Sequence, residues 1–135
     1  LGKAMFVLSS MMERSLPLVY TGQEAGLNHQ FPFFTKDPVG IDWSITHPDA
    51  YFFAEMMSLK HNYVALSNGV DGHDMDLQID TTSNSAMITR GKEGTSDQVV
   101  AIFQFSEDPP VYSAPSEFEE VIAVAGARVY AAKRD

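Results

Sequence analysis

At 135 residues, 44% of them hydrophobic and 11% aromatic, the chain can bury one core of ordinary size, which excludes an intrinsically disordered segment. Its net charge of −9 is uneven: residues 1–40 hold three bases (Lys3, Arg14, Lys36) against three acids (Glu13, Glu24, Asp37), so the whole excess falls on 41–135. Bases so few and scattered disfavour nucleic-acid and membrane partners while suiting a neutral polysaccharide, and the absence of cysteine removes disulfides and thiolate metal sites.

Ala4-Met5-Phe6-Val7-Leu8 with Met11 and Met12 puts apolar side chains on most of a helical circumference, the pattern of a helix packed on several sides. Leu16-Pro17-Leu18-Val19-Tyr20 comes next, an apolar run without polar alternation that stops at Gly22-Gln23-Glu24. It reads as a strand covered on both faces, as in a parallel α/β sheet, where ligands collect at strand C-termini. Pro17 near its start costs no ladder hydrogen bond. Residues 25–47 contain Gly26, Asn28, Pro32, Pro38 and Gly40 and show no periodicity, so they form a long loop; Phe31, Phe33, Phe34 and Trp43 argue that it is ordered.

Thr46-x-x-Asp49 opens a helix with Thr46 as N-cap, and Phe52, Met56, Leu59 and Tyr63 continue it to about Asn62. Beyond Asn68-Gly69 the period becomes that of strands, at 75–80, 86–89 and 99–105, then in a hairpin of 121–124 and 127–131 around Gly126. Turn residues separate them at Ser83-Asn84 and Gly91-Lys92-Glu93-Gly94. Alternation puts Val99, Ala101, Phe103 and Phe105 on one face of the third strand and Val100, Ile102 and Gln104 on the other, which suits a central strand. The longest uncharged stretches fall short of the roughly 20 apolar residues of a membrane span, and the first residues lack the order of a signal peptide.

The sequence from the first helix through Leu16-Pro17-Leu18-Val19-Tyr20-x-Gly22-Gln23-Glu24 resembles the last strand of the catalytic barrel in the α-amylase family, glycoside hydrolase family 13. Phe33-Phe34-Thr35-Lys36-Asp37-Pro38 and Ile41-Asp42-Trp43-Ser44 resemble that family's loop after the eighth strand, residues 51–62 its eighth helix, and the remainder of the chain its C-terminal β-domain. Arg14-Ser15 departs from the pattern, standing where relatives commonly have Pro-Gly.

The resemblance implies an α+β chain: the tail of a (β/α)8 barrel (helix, strand, loop, helix) over 1–63, then an antiparallel β-sandwich domain over 64–135. It implies a parent enzyme that is a retaining α-glycosidase of α-glucans, whether secreted, periplasmic or cytoplasmic. Such an enzyme needs two carboxyl groups about 5 to 5.5 Å apart. In this family those groups and a third aspartate lie after the fourth, fifth and seventh strands, which the resemblance puts ahead of residue 1. The chain alone is therefore expected to be structural and inactive, without cofactor or metal, its partners being the missing barrel portion and, through the parent, an α-glucan or oligosaccharide. Met5, Phe6, Leu8, Leu18 and Val19 would lose their natural cover, so the chain should self-associate or fold its first helix back onto the sheet or the second helix.

No residue is expected to be catalytic. Gln23, Glu24 and Trp43 are the candidate substrate-binding residues, the first two because the resemblance puts them in a motif near the sugar cleft. For Glu24 a scaffold role, holding neighbouring loops, is preferred. Trp43, Phe33 and Phe34 offer flat surfaces for a glucose ring, but aromatic side chains often anchor loops, and the anchor role is preferred for Phe33 and Phe34. Asp71-Gly72-His73-Asp74-Met75-Asp76 places His73 and Met75 where a calcium loop needs oxygen, and reads as a solvated acidic turn, as do Glu117, Glu119 and Glu120. His29, His47 and His61 lack metalloprotease spacing, and no nucleophile elbow or phosphate-cradling glycine loop occurs. The alternative function is a self-standing carbohydrate-binding or interaction β-domain, which has no use for the apolar run 16–20 or the apolar helix before it.

Overall fold

The computed structural model of the chain describes residues 2–104 and 107–134. Two helices, α1 (Gly2–Met11) and α2 (Pro48–Asn62), and two short 3-10 turns (Val64–Leu66 and Gly69–Asp71) precede five strands: β1 (Met75–Asp80), β2 (Ser85–Gly91), β3 (Gln98–Phe103), β4 (Phe118–Val124) and β5 (Ala127–Ala132). The strands form one antiparallel sheet of order β1-β2-β3-β5-β4, so the chain is mixed α+β.

Local chemistry sets the turns. Between β1 and β2 the Asp80 carboxylate accepts hydrogen bonds from Thr82 N (2.8 Å) and Ser83 Oγ (2.7 Å), and Asn84 takes a left-handed conformation, which asparagine tolerates. Gly91, with φ of +95°, lies so close to the next strand that a Cβ would meet Asp97 O at 2.0 Å. β4 pairs with β5 across Gly126, and a bulge between Glu120 and Ile122 leaves Val121 out of the ladder.

Register sorts the side chains into two unlike faces. Leu77, Ile88, Ala101, Val129 and Ile122 form one cross-strand row, and Ile79, Ala86, Phe103, Ala127 and Val124 the next. Onto this apolar face pack Ala4, Val7 and Met11 of α1 and Phe52, Phe53, Met56 and Leu59 of α2, with Phe6 edge-on to Phe53 at 4.8 Å between ring centroids. The opposite face carries the row Asp76, Thr89, Val100, Tyr130 and Glu120, only partly covered by Tyr112 and Ala114. β3 is buried along its whole length, as its two-sided apolar pattern requires.

One buried cation ties the layers. Arg90 of β2 is 1% exposed, and its guanidinium donates to Met11 O at the end of α1 (2.9 Å) and to His73 O ahead of β1 (2.7 and 3.1 Å). Burial pushes it below its ordinary value, and Glu13 and Asp74 push it back up. A second tie joins the helical layer to the far end of the sheet: Tyr63 Oη donates to Ala132 O (2.8 Å), Asp97 Oδ2 accepts from Ala65 N (2.9 Å), and Arg134 lies 3.9 Å over the Tyr63 ring.

Several expectations are corrected. Residues 16–20 form no strand: the segment pairs with no strand among the described residues, with Leu16 84% and Leu18 75% exposed and Val19 resting on the core. A parallel strand needs a neighbour whose backbone can satisfy it, and no parallel pairing occurs among the described residues. In place of a two-layered sandwich there is a single sheet whose second layer is helical. α1 buries one stripe rather than several sides, leaving Met5 and Met12 exposed, and it folds back against β3, β5 and α2. α2 is capped by His47 rather than Thr46, with no side-chain bond, because Pro48 at the first position needs no acceptor. Phe105 lies outside the described residues.

Replacing Arg90 with alanine strands the buried carbonyl of Met11 and the part-buried one of His73 and opens a cavity, so Arg90→Ala should cost about 3 kcal/mol. Arg90→Lys should recover less than half of it, since an ammonium lacks the fork that spans both acceptors. Urea unfolding checks both; an Arg90→Ala midpoint no lower than that of the exposed-site variant Lys92→Ala would refute the clamp.

Candidate functional site

The polar end of the run 16–20 is a tight turn. Gln23 N donates to Tyr20 O (3.0 Å), Leu27 N to Gly22 O (2.9 Å), and Gly22 and Gly26 both have positive φ. The Gln23 side chain bends back, its Oε1 accepting from Tyr20 N at 2.7 Å. Gln23 also lines a groove of about 650 Å³ with Lys3, Ser9, Gly26, Asp49 and Phe53, where the ammonium of Lys3 pairs with Asp49 at 2.5 Å. Glu24 does not line this groove; its side chain is half-buried, and its Oε2 is shielded from solvent without a hydrogen-bond partner.

The loop beyond is organised by two aspartates. Asp37 binds His29 Nε2 (2.7 Å) and accepts from Val39 N (2.8 Å); Asp42 Oδ1 accepts from Ser44 N (2.9 Å) and Ser44 Oγ (2.6 Å). These bonds hold both carboxyls below the ordinary aspartate value, the His29 contact leading for Asp37 and the Ser44 hydroxyl for Asp42. Trp43 stands edge-on to His47 at 5.8 Å and keeps more than half of its surface open, but it is not part of the Gln23 groove. The anchor role expected of Phe33 and Phe34 is overturned: they are 91% and 92% exposed and touch each other, with ring centroids 4.7 Å apart. Gln23, Glu24 and Trp43 thus have separate local surroundings and are not gathered into one constellation.

The side chains that sequence reasoning passed over lie on the open face of the sheet. There a concavity of about 720 Å³ has Met87, Val100 and Tyr130 in its lining, with Tyr112 and Phe118 beside them. Tyr130 Oη donates to Tyr112 O (3.2 Å), and the two rings lie 5.4 Å apart. The polar alternation of Asp76 and Gln78 was visible in the sequence, but only strand register sets it beside Thr89 and Met87. Among the described residues no three acidic or histidine side chains converge as a metal site, and no helix is long and apolar enough to cross a membrane. Comparison of the chain with protein-family models, with curated proteins and with solved structures finds no match.

Gly22 has φ of +90°, and an added Cβ would meet Leu27 at 3.0 Å. Gly22→Ala should therefore lower stability by about 1 to 2 kcal/mol, whereas Gly40→Ala, with nothing within 4 Å, should be close to neutral; thermal melts compare the two. Asp37, whose folded value is depressed, contributes order that is present above the unfolded value of 3.8 and is lost as pH falls through the lower folded value. Carboxyl NMR titration should place its midpoint below 3.8, and His29→Ala should move it back up; an unchanged midpoint in the variant contradicts the assignment.

Proposed function

We propose that this chain is the C-terminal portion of an α-amylase-like glycoside hydrolase acting on α-glucans. In that reading residues 1–63 complete a catalytic barrel, residues 64–135 are the β-domain beside it, and the catalytic carboxylates belong to strands earlier in the parent. The chain's own role is structural, with Gln23, Glu24 and Trp43 on the side that faces sugar.

The observation that carries this reading is the state of residues 16–20. The segment is apolar at every position, lies outside every strand, and among the described residues no hydrogen bond reaches the backbone of Leu16, Leu18 or Val19. Leu16, Leu18 and Tyr20 face outward together, with Val19 facing the core. Apolar cover on both sides and backbone partners on both edges are what a barrel strand receives from its neighbours. The shielded, unpartnered Glu24 Oε2 at its end supports the same reading, since a carboxylate oxygen without a donor is the half of an interaction. The resemblance of segments within 16–44 to that family supports the chemical identity proposed, and the acidic charge of 41–135 is compatible with a neutral glucan.

Rigorously purified chain should hydrolyse no starch, maltodextrin or pullulan, and turnover abolished by Glu24→Gln would overturn the reading. In the coding sequence upstream of residue 1 an in-frame His-Asp motif of the family is expected, and an in-frame stop there would count equally against it. The bare segment is also a template for association: light scattering should show self-association of the chain that Leu16→Glu with Leu18→Glu reverses while the helical signal is kept.

A further inference from the structure

We propose that the open face of the sheet is a binding trough for a linear neutral oligosaccharide, distinct from the Gln23 groove and from Trp43; that the sugar is an α-glucan rests on the function proposed for the chain. The concavity of about 720 Å³ reaches Gly91 and Glu93 at one end of β2, and a second of about 380 Å³ reaches Ser83 and Ser85 at the other. Both include Gln78, Met87 and Tyr112 in their linings, so they run in line along the strand. A seven-residue strand spans roughly 23 Å, which makes the site a track for an extended polymer rather than a cup for a compact ligand.

Its surface is divided lengthwise. Along one side Met87 and Tyr112 keep part of their apolar surface open above buried Val100 and Tyr130, and Tyr112 is held by the bond from Tyr130 Oη to its carbonyl. Along the other side β1 presents Asp76 and Gln78, two residues apart on one face, with Gln78 Nε2 donating to Asp76 Oδ2 at 3.0 Å. Both residues are exposed, and beyond this bond the Gln78 carbonyl oxygen and the second Asp76 carboxylate oxygen have no hydrogen-bond partner among the described residues, which leaves them as acceptors. A sugar ring has the matching division, an apolar C–H face and a rim of hydroxyl donors.

Charge narrows the occupant further. Asp76, Glu93 and Glu117 stand around the trough, opposed by Lys133, whose ammonium is engaged with Ser116 O at 2.7 Å. Phosphorylated ligands, nucleic acid and acidic peptides are repelled. A second copy stacked face to face would oppose the same carboxylates to themselves. A neutral polyol meets no such penalty.

The test is calorimetric titration of the whole chain with maltoheptaose, cellohexaose and a lysine-rich peptide, repeated on Gln78→Ala, Tyr112→Ala and the exposed control Val70→Ala, each checked by thermal melting. Gln78 lies on an exposed edge strand, so its variant tests the site without disturbing the core. The expected result is maltoheptaose binding that weakens roughly fivefold in Gln78→Ala, the loss of about one hydrogen bond, and is unchanged in Val70→Ala. No sugar binding, sugar binding indifferent to Gln78 and Tyr112, or binding of the peptide alone overturns the proposal. Cellohexaose binding that depends on Gln78, without maltoheptaose binding, keeps the trough and overturns the α-glucan reading instead.

Discussion

A single guanidinium without a carboxylate partner holds the two layers in register. The ten residues of α1 are too few for a helix that is stable by itself, so its place depends on docking, and its last turn would otherwise bury a carbonyl unsatisfied. Arg90 meets Met11 O there, and with its other edge meets His73 O on the approach to β1. Because β2 sits between β1 and β3, the same side chain that ends the helix also fixes where the edge strand begins. Arginine suits the position because its donors diverge toward two carbonyls, one at a helix end, while the charges of Glu13 and Asp74 favour its cationic form.

That clamp explains why the two faces of the sheet differ in kind. The face bearing Arg90 is apolar across its central strands, where α1 and α2 pack on it, so its middle is scaffold, while Leu77, Ile79 and Glu119 stay exposed toward its edges. The other face has no helix over it among the described residues; Tyr112, Ala114 and Phe118 pack there against buried Val100, Ile102 and Tyr130, and its flanks stay open. Polar residues there are not errors of burial but the natural lining of a surface that meets water. The region around Gln23 draws on the ends of α1 and α2 instead, so the two concave surfaces are built from different elements and respond to different substitutions.

Much of the architecture was legible in residue order. The β3 alternation, the hairpin around Gly126 and the helix ending at Asn62 all arise from period and turn chemistry that neighbours do not override. The run 16–20 was legible only as apolar and extended, because a strand is a relation between segments and its pairing partner is not written in its own residues. Phe33 and Phe34 misled for a related reason: hydrophobicity states what a side chain avoids, not whether anything nearby can receive it. The trough was invisible because Gln78, Val100, Tyr112 and Tyr130 come together only through register, and a one-residue slip would have sent each to the other face. The arginine clamp was hidden in the same way, since Arg90 in isolation looks like an ordinary polar position in a half-exposed strand.

The span of that clamp bears on how the chain is made. Most of the sheet is assembled from sequence neighbours, β1 with β2, β2 with β3 and β4 with β5, which close short loops quickly. The partners of α1 are distant, with Arg90 standing 79 positions after Met11 and the docking surface completed only by β5. During vectorial synthesis the first helix therefore leaves the ribosome long before its seat exists, and its apolar stripe waits in solvent, or with a chaperone, until nearly the whole chain has emerged. Of the elements described, α1 is the last to be secured, and so the first from which a protease or a holdase can take hold.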